Sequence, residues 1–185
     1  MVYSRPSDIT RETAAMLRRI NCFQVLIGAD SASNEMLRSL NTGKSTEAFW
    51  DAVEILDGAD IKFSTSVIFG APGETEADVL STLRLMERLA SRRNVFEVSA
   101  AMLIPLPGTS CYDAILSHPG LRGKYAQTDL LDVNELQFDW VRHFCNVRYD
   151  LLLRALERVS SLFPVCSSFG RRVPADAEGR AAISA

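Results

Sequence analysis

The sequence predicts an α/β fold built on parallel strands, and three observations predict it. Short apolar runs alternate with longer stretches at helical spacing. Each apolar run stops at a glycine or a proline. Residues that cap helices follow each stop. This alternation favours parallel strands joined by helical crossovers. Three such runs are too few to close a barrel, and a parallel sheet wants helices on its faces. The chain therefore reads as part of a larger (β/α) barrel.

Taken in order, Asp8-Ile-Thr10 opens the first helix, with Asp8 or Thr10 as its cap and Ala14, Ala15, Leu17 and Ile20 as its apolar positions. Phe23 to Gly28 is a strand. Asn34 is the expected cap of a short helix to Leu40, and Asn41-Thr-Gly43 stops it. Ser45 or Thr46 starts the next helix, whose inner face is Phe49, Val53 and Leu56. Ile61 to Phe69 is the second strand. Glu74 opens a long helix to Ser91, with Leu80, Leu83, Met86, Leu89 and Ala90 as its buried stripe and acids in its first turn. Val95 to Leu103 is the third strand, broken by Pro105, Pro107 and Gly108. Irregular chain with short helix fills 112–128, and one helix is expected over 129–162. The tail from Ser167, rich in Gly, Arg and Ala, is expected to be disordered. The division that follows is a barrel part at 1–115, a helical extension at 116–166 and the tail at 167–185.

Composition narrows the function. The 185 residues are 47% hydrophobic and 23% charged, which suits one folded domain. A net charge of −3 makes no electrostatic case for nucleic acid. No apolar run reaches the roughly 18 residues of a membrane helix, and no signal-peptide core stands at the start. A cytoplasmic protein is expected, with Cys22, Cys111, Cys145 and Cys166 as free thiols, since none has the close spacing of a metal cluster. Lys44 follows Gly43, but Arg38 stands where a phosphate loop needs its first glycine. No G-x-S-x-G elbow is present. His118 and His143 read as structural or solvent-facing.

The chemistry concentrates at the strand exits. Ser64 to Glu74 is a β-branched run ending at Gly70, followed by a Pro-Gly turn and an acidic helix start. Met102-Leu-Ile-Pro-Leu-Pro-Gly-Thr109 repeats the style. Backbone approaches a ligand closely at such exits, and the following helix offers free N–H groups. An apolar side chain there gives a flat ring a dry wall, and glycine removes a Cβ that would block it. Plainer readings stand beside these. Ile68 can be core, Gly70-Ala-Pro-Gly73 only a turn, and Asp30-Ser31 only a capping cluster.

Three ordered blocks carry a family resemblance. Val25-Leu-Ile-Gly-Ala-Asp-Ser-Ala-Ser33 with Leu37, Asn41-Thr-Gly-Lys44 and Thr46 is the first. Ser66-Val-Ile-Phe-Gly-Ala-Pro-Gly-Glu-Thr75 is the second, and Ile104-Pro-Leu-Pro-Gly-Thr-Ser-Cys-Tyr112 the third. Together they resemble the radical S-adenosylmethionine enzymes, in the flavour that often carries a cobalamin-binding domain. The resemblance covers roughly residues 3 to 115. It implies a six-stranded partial barrel of which this chain holds the last three strands, starting near Tyr3-Ser-Arg5 at the third strand's exit. It implies S-adenosylmethionine as cofactor, cleaved beside a [4Fe–4S] cluster to a 5′-deoxyadenosyl radical. The CxxxCxxC loop that binds the cluster is not in these residues, nor is the family's Gly-Gly-Glu segment.

The resemblance also implies a set of cofactor-binding positions. Asp30 and Ser31 fall near the ribose or carboxylate, with Asp30 where the family has Glu. Ile68, Gly70 and Glu74 match the GxIxGxxE element that packs on adenine, with Ser66 replacing its first Gly and Glu74 ordering the turn. Backbone at Ile104 and Pro105 flanks adenine. No catalytic acid or base is implied, because the cofactor carries this chemistry. The expected function is the nucleoside-binding half of a radical enzyme, inactive alone, with a second chain supplying the other strands and the cysteines. The alternative is a non-catalytic binding or assembly module that covers its open strand edge with a partner or a second copy.

Overall fold

The computed structural model describes residues 1–126, 131–163 and 166–169. Its sheet has five strands, not three: β1 (Val2–Ser4), β2 (Gln24–Ile27), β3 (Lys62–Phe69), β4 (Val95–Met102) and β5 (Cys166–Phe169). They lie side by side in chain order, and every pair is parallel. The three apolar runs are β2, β3 and β4. The two added strands are the edges. β1 is a three-residue strand made by pairing Val2–Ser4 with Val25–Ile27. β5 pairs Cys166–Phe169 with Val98–Ala101, inside the segment where the sequence suggests the end of the extension and a disordered tail. Neither carries an apolar run, so pairing alone defines them. The remainder of the expected tail, residues 170–185, lies outside the described residues.

Helices fill the crossovers. α1 (Arg11–Arg19) joins β1 to β2 and is capped by Thr10 in a reciprocal box with Thr13, while Asp8 ends a 3-10 turn before it. α2 (Asn34–Ser39) and α3 (Thr46–Gly58) join β2 to β3. Their caps are Ser33 and Ser45, so the α2 cap stands one residue ahead of the expected Asn34. α4 (Glu76–Ala90) joins β3 to β4 behind a Thr75–Asp78 capping box. It buries Val79, Thr82, Leu85, Met86 and Leu89, while Leu80 and Ala90 are exposed. Met86 and Leu89 of the expected stripe are buried and Leu83 is half-buried, and Val79, Thr82 and Leu85 complete the inner face.

Four helices, α5 (Ser110–Ser117), α6 (Pro119–Tyr125), α7 (Val133–Phe144) and α8 (Tyr149–Leu162), lie between β4 and β5. The single helix expected over 129–162 is two. The break at Cys145 follows from a distant contact: the Asn146 N–H donates to the Glu74 carbonyl at 2.8 Å, which pulls the chain out of helical geometry. Among the described residues no helix is long and apolar enough to cross a membrane.

One face of the sheet meets the helices. Val25, Ile27, Phe63, Val67, Phe69, Val98, Ala100 and Met102 are buried in a core shared with Phe49, Val53 and Leu56 of α3 and Met86 and Leu89 of α4. Trp140, Val141, Leu152 and Val159 of α7 and α8 belong to the same core. A buried side chain of this size contributes about 1.5–3 kcal/mol. The alternate positions, Leu26, Ser66, Ile68, Ser99 and Ala101, lie on the opposite face and stay half-buried. That face corresponds to a barrel interior; toward the strands' N-terminal ends Gln24 and Ser64 are buried on it and bonded to each other, and toward the exits it is half-buried among the described residues.

Candidate functional site

The parallel strands bring their C-terminal ends to one side, where α/β folds place ligands. Two exits differ in construction. At the exit of β2, Ala29 and Asp30 N–H groups both donate to the Ser66 carbonyl, at 3.1 and 2.9 Å, and Asp30 returns its carbonyl to the Ile68 N–H at 2.8 Å. This doubled bond bulges the chain and holds Asp30 at φ 57°. Asp tolerates the left-handed region better than most residues. The Asp30 carboxylate then meets the Lys44 ammonium at 2.5 Å, with side-chain exposures of 11% and 21%.

Gly28 lies directly under that pair. A Cβ there would sit 2.6 Å from Lys44 Nζ and 2.8 Å from Asp30 Oδ1. Any other residue at 28 must displace the ion pair. Above it opens a cleft of about 650 Å³ lined by Tyr3, Arg5, Asp8, Asp30, Lys44 and Ser66, among others. It holds acids, bases and hydroxyls beside the half-buried Leu26. Ser31 is turned away from it. The Ser31 hydroxyl lies 3.4 Å from Thr82 Oγ1 of α4 and accepts the Ser33 N–H at 3.1 Å.

The exit of β3 is closed. Gly70 and Gly73 have φ 83° and 75°. Glu74 folds back under the turn, and its Oε2 accepts the Gly70 N–H at 2.5 Å. Glu74 is fully buried, and its Oε1 has no partner among the described residues. Burial raises its carboxyl to about 7 against the bond from Gly70. Cys145 donates to the Ala71 carbonyl from the other side, and its thiol is pushed up to about 12 by burial, with the Glu74 charge second. Gly70 does not clear space for a ligand, contrary to the expectation from sequence. Its missing Cβ points to Val141 and Leu152, at ordinary contact distances of 3.7 and 3.8 Å. Glycine is required there by the positive φ.

Ile68 stands on the open face between Ser66 and Gly70, half-buried. At the neighbouring exit of β4, the Leu103 N–H donates to the Phe69 carbonyl at 2.7 Å, and Ile104 accepts from Leu106 N–H at 2.9 Å. Pro105 is buried. Asp30 therefore lines the charged cleft, while Ile68, Gly70, Glu74, Ile104 and Pro105 gather at the adjacent β3 and β4 exits. Lys44 and Arg5 are the site residues that the sequence singles out least. Lys44 appears there within a matched block and as the lysine of a rejected phosphate loop, and Arg5 only as the start of the resemblance.

These residues fit a zwitterionic ligand with a flat ring. Gly28 leaves room for the Lys44–Asp30 pair, which offers a cation and an anion side by side, and Ile68 offers the apolar wall. They do not fit an iron–sulfur cluster. Cys22 lies between α1 and β2, Cys111 in α5 and Cys145 between α7 and α8, all free, and no group of three or more His, Cys, Asp or Glu among the described residues could hold a metal ion.

Comparison with known proteins bears on the family and the fold. Residues 1–86 match the family profile of the radical SAM superfamily. The tRNA-2-methylthio-N(6)-dimethylallyladenosine synthase of Trichlorobacter lovleyi is 31% identical over 112 residues, 58% of this chain and 25% of that protein. The enzyme of the same name from Geobacter metallireducens is 34% identical over 90 residues, 46% of this chain and 20% of that protein. The chain thus spans a quarter or less of these relatives' length. In fold it is similar to archaeal Methanocaldococcus infernus Elp3, with a TM-score of 0.61 at 16% identity, covering 90% of this chain and 34% of that one. It is equally similar to the radical S-adenosylmethionine methyltransferase TsrM from Kitasatospora setae, solved with cobalamin and a [4Fe–4S] cluster. That TM-score is 0.60 at 19% identity, over 95% of this chain and 36% of that one.

Proposed function

We propose, from the premise that this chain carries part of a radical SAM domain, that its open sheet face holds S-adenosylmethionine at the exits of β2, β3 and β4. The observation that carries the reading is the Gly28–Asp30–Lys44 arrangement, a partly buried ion pair seated on a glycine at the mouth of a polar cleft. Lys44 and Asp30 take the carboxylate, ammonium or ribose hydroxyls of the cofactor. Ile68 and the Ile104–Pro105 backbone take the adenine. Ser31 and Glu74 act one step back, holding the two exits in shape. When bound and reductively cleaved, S-adenosylmethionine supplies a 5′-deoxyadenosyl radical. This chain's residues bind and orient the nucleoside, and the apolar wall excludes water from one of its faces.

Cluster ligands and the rest of the barrel come from polypeptide outside these 185 residues, so the chain alone binds the cofactor without cleaving it. Cobalamin is a further cofactor of the whole protein in this reading, supported by the fold shared with a cobalamin-bound methyltransferase. The free thiols suit a cytoplasmic setting.

The test is a calorimetric titration of the purified chain with S-adenosylmethionine and S-adenosylhomocysteine, without reductant. Saturable binding of both, weakened about tenfold by Asp30→Ala or Lys44→Ala, is expected on the scale of one charged hydrogen bond. A folded chain that takes up neither contradicts the reading. One observation favours the assembly module as the second reading. β1 is a short edge strand whose Tyr3 is 71% exposed, which a partner strand would cover. A tight oligomer that ignores both ligands would bring that reading forward.

A further inference from the structure

Helix α7 reaches the exits of two neighbouring strands at once. The Gln137 amide donates to the Met102 carbonyl, the last residue of β4, at 3.1 Å. The Trp140 indole N–H donates to the Gly70 carbonyl, just past β3, at 2.8 Å. Both side chains are 1% exposed. They stand three residues apart, hence on one helix face. The end of the same helix grips the turn again, because the Phe144 carbonyl accepts the Gly73 N–H at 2.7 Å. The Phe144 ring stacks on Trp140 with centroids 4.6 Å apart.

Burying a glutamine amide is costly unless it is bonded. An apolar residue at 137 would serve packing as well. Side-chain bonds to strand-end carbonyls do something that packing does not. They fix the height and rotation of the strand ends, where apolar contact tolerates sliding. The two carbonyls flank the Ile68–Gly70 and Ile104–Pro105 segments. We infer that Gln137 and Trp140 are positioning residues that set the spacing between the β3 and β4 exits for a purine ring. The inference rests on the S-adenosylmethionine reading above and assigns the adenosine moiety to this wall.

The probe is 5′-methylthioadenosine, titrated into the purified chain and its variants. Trp140→Phe keeps a ring against Phe144 and removes the N–H together with the pyrrole part of the indole. Gln137→Leu keeps volume and removes the amide. Each is expected to weaken 5′-methylthioadenosine about tenfold, the scale of one lost buried hydrogen bond, with a cooperative melting transition retained. In a Trp50→Phe background, Trp140 is the only tryptophan, and its emission is expected to change on saturation with the probe. A merely structural Trp140 would leave that signal flat. If Gln137→Leu fails to fold, the emission response carries the test by itself. Unchanged affinity in the folded variants, or a flat emission while the wild type binds, overturns this inference alone. A wild type that binds no adenosine compound overturns it together with the reading it rests on.

Discussion

The exit of β2 and the exit of β3 are neighbours on one sheet and are built on opposite principles. At β2 the chain leaves a charged pair at a cleft mouth, 2.5 Å apart and still partly in contact with solvent. At β3 the polar groups are turned inward: a carboxyl closes the turn from below, an indole and a thiol hold it from behind, and one carboxyl oxygen is left without a partner among the described residues. The first exit keeps its bonding capacity available to a ligand. The second spends it on rigidity and offers only Ile68 and backbone. A site for a molecule with a charged end and a flat apolar end needs both kinds.

The largest effect is expected at Trp140. Trp140→Ala removes the indole that holds Gly70 and leaves a cavity in the core. It is expected to cost about 3–5 kcal/mol in denaturant unfolding. Glu74 comes next, through pH. Its folded carboxyl is raised to about 7 from an ordinary 4.5. Folding therefore takes up a proton in that window. Its contribution is full below about pH 4.5 and is lost as pH rises through about 7. The total is about 3 kcal/mol at full ionisation. Glu74→Gln, which keeps an acceptor for Gly70, should flatten the stability-versus-pH curve between pH 4.5 and 8. A slope as steep as the wild type's would remove Glu74 from the account.

Glycine substitutions sharpen the contrast. Gly70→Ala is expected to lose about 1–2 kcal/mol, the cost of a left-handed alanine, because its surroundings have room. Gly28→Ala should act mainly on ligand binding, since it drives Lys44 and Asp30 apart. About tenfold weaker S-adenosylmethionine binding is expected, with a smaller change in melting temperature. At the bottom of the scale, Arg93→Ala removes an ion pair whose partners are 74% and 64% exposed. It should change stability by less than about 0.5 kcal/mol.

The sequence carried the long strands and most caps plainly, because each is decided locally. β-branched runs end at glycine, and hydroxyl residues precede acidic first turns. What it hid is decided at a distance. β5 exists through pairing with β4, and β1, which the resemblance implies only as a strand exit near Tyr3-Ser-Arg5, through pairing with β2; neither has an apolar run of its own. The break between α7 and α8 depends on the Glu74 carbonyl, far away in the chain. The inner face of α4 takes in Val79, Thr82 and Leu85 beside the expected Met86 and Leu89. In the site, the exits of β2, β3 and β4 were legible from their glycines and prolines. The direction of Gly70's absent Cβ was not, since it depends on how α7 and α8 are seated. Ser31 reads as a ligand contact in sequence and bonds to Thr82 in space, which no local pattern announces. Lys44 lacks a motif of its own and acquires its place only when the α2–α3 loop returns over Gly28.

Amide hydrogen exchange with and without saturating S-adenosylmethionine tests the central claim most directly, since it reports where the ligand sits as well as whether it binds. The account predicts added protection at residues 28–31, 68–70 and 103–106, with the outer helices α1 and α3 unchanged. Protection confined to those helices, or none anywhere on a folded chain, would contradict it.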